Sequence, residues 1–368
     1  MNLLTKKINI FAFILLCSYT LSAQAPKYSN EFLSIGVGAR AIGMSNSNIS
    51  IVDDVTAGYW NPAGLNFIKS NIQIGLMHSE YFAGIAKYDY ASIASRIDES
   101  SVGGFSFIRF GVDDIPNTTE LIDAEGNIDY DKITTFSAAD YAFLFSYART
   151  YKEKLRLGAN AKIIHRKVGD FAHSWGFGLD VGAQYNYNKW ILGVMARDVT
   201  STFNAWSYDL TDKMKEVFTL TNNEIPENSL EITLPKFIVS VGREFTISQN
   251  FTALPVLDID FAFDKQRNVL LKNHYNSADP HFGVEFSYKK IVFVRGGIGN
   301  IQNETNMTGK KIKTFQPNMG IGIKIKDNFC LDYAYTDIGN KSIAIYSNIF
   351  SLKFNITKKV RSVEESDI

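Results

Sequence analysis

The sequence predicts an all-β chain, a transmembrane antiparallel β-barrel of about 14 strands preceded by an N-terminal plug or hatch. Three observations carry this. From Asn71 onward the 368-residue chain breaks into segments of about 10 residues in which apolar and polar side chains alternate, the period of a pleated strand. The connections between those segments are short and long by turns, as in barrels whose tight turns gather at one rim and whose loops gather at the other. Past the N-terminus no run approaches the ~20 apolar residues of a spanning helix, so a membrane-borne chain of this kind crosses as strands. Alternation alone suits a soluble sandwich equally well, with apolar faces packed together and polar faces in water. The connections separate the two.

In chain order, residues 1–25 read as a secretory signal peptide. Lys6 and Lys7 precede the apolar run Ile8 to Leu16, and Ser22-Ala23-Gln24-Ala25 supplies small residues at a cleavable position. Cys17 is expected to leave with it, because Leu15-Leu16 lacks the small residues of lipoprotein processing. Cys330 is then the sole cysteine, which excludes an intramolecular disulfide and a cysteine-based zinc site. The 38 basic and 38 acidic residues balance, which removes any case for a nucleic-acid partner from net charge.

Residues 26–70 form the expected plug. The stretch Phe32 to Phe67 is Gly-rich and does not alternate. Gly36, Gly38 and Gly43 permit close approach to a wall or a positive φ, and Asn61-Pro62 followed by Ala63-Gly64 is a turn. These residues fit a plug at a barrel mouth and an ordinary surface loop alike. The run FLSIGVGARAIGM from Phe32 to Met44, the pair Asp53-Asp54 and YWNPAGL from Tyr59 to Leu65 together resemble the N-terminal signature of the PorV/PorQ family, closer to PorV. Those are outer-membrane barrels of type IX protein secretion in Bacteroidetes, similar in fold to the FadL fatty-acid transporters, whose hatch also carries an Asn-Pro-Ala turn. The resemblance implies a FadL-like barrel in an outer membrane, long loops outside and termini periplasmic. It assigns Gly36, Gly38, Arg40, Gly43, Trp60, Asn61, Pro62 and Gly64 to the hatch motif.

The barrel is expected over 71–356, with strands near 72–79, 86–97, 101–110, 137–150, 155–168, 171–187, 189–199, 231–244, 251–263, 280–288, 290–298, 314–326, 328–336 and 345–356. Ser174 to Tyr187 shows the rule: Trp175, Phe177, Leu179, Val181, Ala183, Tyr185 and Tyr187 face one way, and Gly, Ser, Asp, Gln and Asn the other. Asp180, Glu285, Lys324, Lys326, Asp332 and Lys353 should point into the lumen, there to hydrogen-bond the plug. Long connections run Gly111–Phe136, Thr200–Leu230, Asp264–Asp279 and Gly299–Lys313. After Phe354 the polar stretch 357–368 reads as a periplasmic tail.

No catalytic signature is present. The five histidines are scattered, with no pair at helical metal-ligand spacing and no Gly-x-Ser-x-Gly. His165 and His173 flank one tight connection and could face each other across adjacent strands. Asp113, Asp114, Glu120, Asp123, Glu125, Asp129 and Asp131 make one long loop acidic, in a spacing that matches no calcium loop and is read as solvated. No cofactor, metal or enzymatic activity is expected. Trp206, Tyr208, Met214 and Phe218 give the Thr200–Leu230 connection an apolar content typical of protein contact sites, or of packing over the barrel mouth.

The resemblance implies a non-enzymatic component of type IX secretion. Its partners would be a translocon subunit and the C-terminal signal domains of secreted cargo, held by outer loops and passed to an attachment complex, with outer-membrane lipid around the barrel. The alternative is a FadL-like transporter of hydrophobic small molecules, working through a hatch and a lateral opening. A third reading, a barrel that only stabilises a larger translocon, differs from the first in cargo affinity alone. A transporter needs an apolar pocket beside the hatch, and the inward faces read from the strands are Gly, Ser, Asn, Asp and Lys, which favours secretion.

Overall fold

The computed structural model describes residues 29–357, except 83, 120, 122–126, 264–266, 273–275, 306–308, 327 and 340–345. The expected signal peptide, the tail from 358, and Glu120, Asp123 and Glu125 of the acidic connection lie outside the described residues.

Eighteen strands form one sheet: β1 Ile72–Tyr81, β2 Ala86–Arg96, β3 Ser101–Asn117, β4 Thr134–Tyr151, β5 Leu155–Val168, β6 Ala172–Tyr187, β7 Trp190–Arg197, β8 Phe203–Tyr208, β9 Ser229–Ile232, β10 Lys236–Arg243, β11 Phe245–Thr246, β12 Phe251–Ala262, β13 Leu271–Lys272, β14 Ser277–Tyr288, β15 Val292–Thr305, β16 Lys311–Ile325, β17 Phe329–Tyr335 and β18 Asn348–Ile356. Neighbours pair antiparallel, and β1 pairs β18, from Ile72 opposite Ile356 to Glu80 opposite Asn348, which closes the ring. Fourteen strands make that ring; β8, β9, β11 and β13 extend its wall at the rims. Closure leaves no open edge for another chain to pair with.

Burial is inverted relative to a soluble sheet protein. Trp175, Phe177, Val181 and Tyr185 on β6 are exposed on the outside, whereas Ser174, Asp180 and Gln184 are buried inside. The same holds on β14 and β17, where Phe282, Phe286 and Leu331 are exposed and Glu285 and Asp332 buried. The apolar faces therefore form a continuous outer belt of the kind lipid covers, and the sandwich reading fails.

The two rims differ as the connections foretold. At the tight rim, Lys152-Glu153 and Lys289-Lys290 take left-handed φ at both central positions (51° and 52°; 52° and 55°). Such pairs match the right-handed twist of the flanking strands. The 200–230 connection is not a free loop: it holds β8, a helix over Asp212–Leu220 capped by Thr211, and β9. Lys326, expected on a lumen-facing strand, is instead an exposed turn residue with φ 53°. His165 and His173 do not face each other, since β5 and β6 place them opposite Trp175 and Lys167. His165 stacks on Trp175 at 4.2 Å, and His173 lies 3.4 Å from Asp209.

Val181 lies midway along the apolar face of β6, between Trp175 and Tyr187. Val181→Arg should destabilise the barrel by about 2–4 kcal/mol, the cost of an arginine on a lipid face at mid-depth. Chemical unfolding from lipid bilayers checks this.

Candidate functional site

A ring of fourteen strands is too wide for its own side chains to fill. Residues 29–70 occupy that space. They run as short helical turns, Glu31–Ser34, Ala39–Gly43, Ala57–Trp60 and Pro62–Phe67, joined by irregular backbone. Irregular buried backbone carries N–H and C=O groups that must find partners, and here inward side chains of the wall supply them. Asp258 accepts from the amides of Asn48 (2.9 Å) and Ile49 (3.0 Å), and Gln73 accepts from that of Val55 (2.6 Å). Ser351 accepts from the amide of Ala39 (2.7 Å), while Gln184 donates to the carbonyls of Ile49 and Val52, each at 3.1 Å.

The motif residues make the most specific of these attachments. Arg40 grips Glu285 with Nε (2.9 Å) and Nη2 (3.0 Å) and reaches Asp53 with Nη1 (2.6 Å). Glu285 also accepts from Arg295 (2.7 Å), which continues to Asp332 (2.6 Å). This chain of alternating charge joins the segment to β14, β15 and β17. Asn61 donates through Nδ2 to the carbonyls of Ile49, Ala183 and Val194, and its Oδ1 accepts from Ala63, fixing the turn that Pro62 begins. Trp60 donates to the Val37 carbonyl at 2.8 Å. Gly36 and Gly38 have φ of 101° and 84°, and Gly43 lies so close to β16 that a Cβ on it would come within 3.0 Å of the Gly320 Cα. The wall answers with glycines of its own: a Cβ on Gly158 would collide with Pro62 and Ala63, and one on Gly297 with Met44.

Asp54 is the second charged anchor. Burial raises its carboxyl, but the Lys353 ammonium (2.7 Å) and the Thr56 hydroxyl outweigh that and hold it well below the usual carboxylate range. Of the charges expected in the lumen, Glu285 and Lys353 touch the segment, and Asp332 acts through Arg295. Asp180 instead serves the wall, joined with Asp198 by Lys162.

The lumen is not uniformly polar. Tyr88, Tyr90, Ile108, Leu144 and Ile164 on β2–β5 are buried inward against Val37, Ile49, Tyr59 and Trp60. The inference from the clearest strands, that the inner face lacks apolar surface, is therefore corrected. Those strands, β6, β12, β14 and β16–β18, lie outside the β2–β5 arc, with β6 bordering it at β5.

A break in the wall adjoins this apolar side. Between the β6 pairs Val181–Ala196 and Phe177–Phe203, β6 advances four residues and the facing chain seven. The three extra residues form a bulge over 198–202, in which the Val199 amide donates to the Leu179 carbonyl (2.9 Å) and Thr202 is pressed on Gly178. On the far side Thr233-Leu234-Pro235 interrupts the wall between β9 and β10 at the same level, and proline cannot donate to a ladder. Ser29 and Asn30 cover the break from within: Asn30 donates to Thr233 (2.8 Å), and Asn204 donates to Ser29 and Asn30 (both 3.0 Å).

Towards the long-loop rim lies a cavity of about 590 Å³, floored by Ile35, Ile42, Ile49 and Trp60. A smaller pocket of about 50 Å³ shares Glu31, Arg197, Lys236 and Arg267 with it and reaches Asp198, Leu234 and Pro235 at the break. Neither the bulge nor the cavity was foreseen. The only sequence signal was the irregular stretch after Arg197 and Pro235 at the start of a strand.

The expected contact residues of the 200–230 connection are divided by the structure. Trp206 and Tyr208 lie on β8, in the wall above the bulge, with Trp206 donating to Glu231 (2.9 Å) beneath Arg166. Met214 and Phe218 lie one turn apart on the 212–220 helix, both partly exposed.

No protein-family model and no curated protein matches the sequence. Solved structures do. The toluene transporter TodX of Pseudomonas putida superposes with a TM-score of 0.57 at 11% identity, over 91% of this chain and 100% of that one. The fold is that of a FadL-like outer-membrane barrel. The monoaromatic hydrocarbon channel CymD (TM-score 0.56, 14% identity, 90% of this chain and 100% of that) and the Ralstonia pickettii toluene transporter TbuX (0.53, 12%, 87% and 98%) agree. At these identities the likeness concerns the fold alone.

Two predictions follow from the fit of segment to wall. Gly158→Val should displace the Pro62-Ala63 turn and produce ion conductance in planar bilayers, while Gly296→Ala, whose nearest neighbour would lie 3.9 Å from the new Cβ, should not. A carboxyl held low stabilises the fold above the ordinary carboxylate pKa of about 4, and that contribution disappears only as pH falls through the lowered value. Lys353→Met removes the strongest of the groups that oppose burial and leaves only the Thr56 hydroxyl and the Arg40 charge against it, so acid-induced leak should begin at higher pH in the variant than in the parent. Conductance recorded against pH checks this.

Proposed function

We propose that this protein is a FadL-like outer-membrane transporter of small hydrophobic molecules. A solute enters the cavity at the long-loop rim, which faces outward, crosses the apolar floor, and leaves sideways through the break in the wall into the bilayer. The observation that carries this reading is adjacency: the cavity above the hatch and the pocket at the bulge meet at Glu31, Ser34, Arg197, Lys236 and Arg267. Among the described residues Ser29 and Asn30 cover the break, so a sideways exit leaves the anchors of the hatch in place. The fold shared with channels for toluene and other monoaromatic compounds supports the same class of solute.

A second reading has its own observation. The motif that resembles the PorV/PorQ signature is the part bound most firmly, through Arg40, Asp54 and Asn61. A fixed hatch suits a barrel that works through its outer surface, as a cargo- or translocon-binding component of type IX secretion would, with Met214 and Phe218 among its contacts.

Uptake of radiolabelled toluene by cells carrying the protein in their outer membrane tests the first reading. Deleting Val199, Thr200 and Ser201 brings the strand back into step with β6, and uptake should fall to that of cells without the protein while the barrel still assembles. If the deletion and the parent transport equally, the lateral route is wrong. Should neither transport, and a large translocon barrel or secreted proteins with a shared C-terminal domain co-purify, the second reading replaces the first.

A further inference from the structure

We propose that the tight rim carries a binding site for an anionic phospholipid, centred on Arg243, whose guanidinium takes the lipid phosphate. The site lies apart from the cavity and does not depend on what the barrel transports. Arg243 is the last residue of β10. Its neighbours Ser240 and Gly242 face the hatch: Ser240 accepts from the Ser50 amide at 3.0 Å, and a Cβ on Gly242 would come within 2.9 Å of Ile51. Alternation therefore turns Arg243 outward, towards lipid. There its guanidinium lies over two rings of the outer wall, Trp190 of β7 at 4.8 Å and Phe245 of β11 at 5.0 Å. Such rings attract a cation but carry no net charge to balance it. Nε is buried without a partner, whereas Nη1 and Nη2, the pair that grips a phosphate in bidentate fashion, stay open. Among the described residues Arg243 has neither a hydrogen bond nor an ion pair. The outward arginine near the other rim, Arg109 of β3, is treated differently, with Asp89 at 3.6 Å and Asp113 at 3.8 Å. A charge facing the bilayer requires a counter-ion. At Arg243 the described protein supplies none, and lipid is what it faces.

The surrounding charge selects an anionic lipid over a zwitterionic one. Lys189 precedes Trp190 in the turn from β6, and Lys289 and Lys290 form the turn from β14 to β15, tied to this arc by the Lys289 amide donating to the Asn250 carbonyl at 2.7 Å. All three lysines are exposed. Across residues 187–190, 243–251 and 288–292 the one carboxylate is Glu244, and it lies 3.6 Å from Lys290. Arg243 and three lysines against one glutamate leave three positive charges on this arc. The exposed rings of Tyr187, Phe251 and Tyr288 on either side place it at headgroup level, where aromatic girdles sit. Lysine stems lie along such apolar surface while their ammonium groups reach the headgroups. Each basic group near an anionic surface gains about fivefold in binding. A zwitterionic lipid brings the same phosphate, but its own cation repels these lysines. With the long loops facing outward, as read above, this rim meets the inner leaflet, whose anions are phospholipids.

Native mass spectrometry of the detergent-solubilised barrel, titrated with equimolar dioleoyl phosphatidylglycerol and dioleoyl phosphatidylcholine, tests the site. The first phosphatidylglycerol should bind more tightly than the first phosphatidylcholine by about tenfold or more. Arg243→Leu puts an apolar side chain on a lipid-facing position, so the variant should keep the heat-resistant mobility of a folded barrel and lose the preference. Arg149→Leu removes an exposed arginine near the same rim, on β4, and should retain it. Equal binding of the two lipids by the parent would overturn the inference, as would a preference that survives Arg243→Leu. A preference lost equally in Arg149→Leu would also overturn it, because the rim would then act through net charge and not through a site. Lipid A displacing phosphatidylglycerol from the parent would give the site to the other leaflet. A photo-crosslinking residue in place of Lys189 should capture phospholipid in cells; capture of an acidic protein instead would assign the rim to a protein partner. Either of these last two results overturns the inference.

Discussion

The structure depends on a problem of backbone hydrogen bonding. The segment inside the ring is irregular and buried, so its amides and carbonyls cannot pair within helix or sheet as most backbone does. The inner face of the wall is built as their partner. Asp258, Gln73, Ser351 and Gln184 meet backbone groups one by one, and Arg40 and Asp54 fix the segment by charge to Glu285 and Lys353. Wall glycines at 158 and 297 let the backbone come close enough for these bonds. Polar residues on the inner strands are therefore the complement of the hatch, and they do not by themselves indicate a wet passage.

The same accounting explains where the wall can break. An interrupted ladder leaves unpaired backbone, tolerable in a membrane only where protein covers it. At the bulge, Lys162 holds Asp180 and Asp198 together behind the wall, and the Asp198 amide donates to Asp180 at 2.8 Å. Thr233 donates its amide to the Thr202 carbonyl at 2.7 Å, which rejoins the two sides above the break. Among the described residues the break is covered from within by Ser29 and Asn30, held by side-chain hydrogen bonds.

Much of this was legible in the chain. The alternation in β6, β14 and β17 survives as an exposed apolar belt and a buried polar face, because a strand's side-chain period is two whatever lies on either side. The difference between the rims was legible for a similar reason, since connection length is a property of sequence. Lys326 and the 200–230 connection were misplaced for the opposite reason. A turn residue at positive φ carries no glycine or asparagine signal when it is lysine, as at Lys326, and β8 is too short to declare a period.

By itself the sequence determined a strand-based barrel with one polar and one apolar face, and a non-alternating segment whose glycines and Asn-Pro turn set it apart. Those are local properties, written in side-chain period, residue type and spacing. Only the tertiary structure decided that Arg40 meets Glu285, that Asn61 reaches the carbonyls of β6 and β7, and that three extra residues in the wall open beside a cavity. Each of these joins residues far apart in the chain through the register of strands around a closed ring. Register is a relation between strands and cannot be read from any one of them.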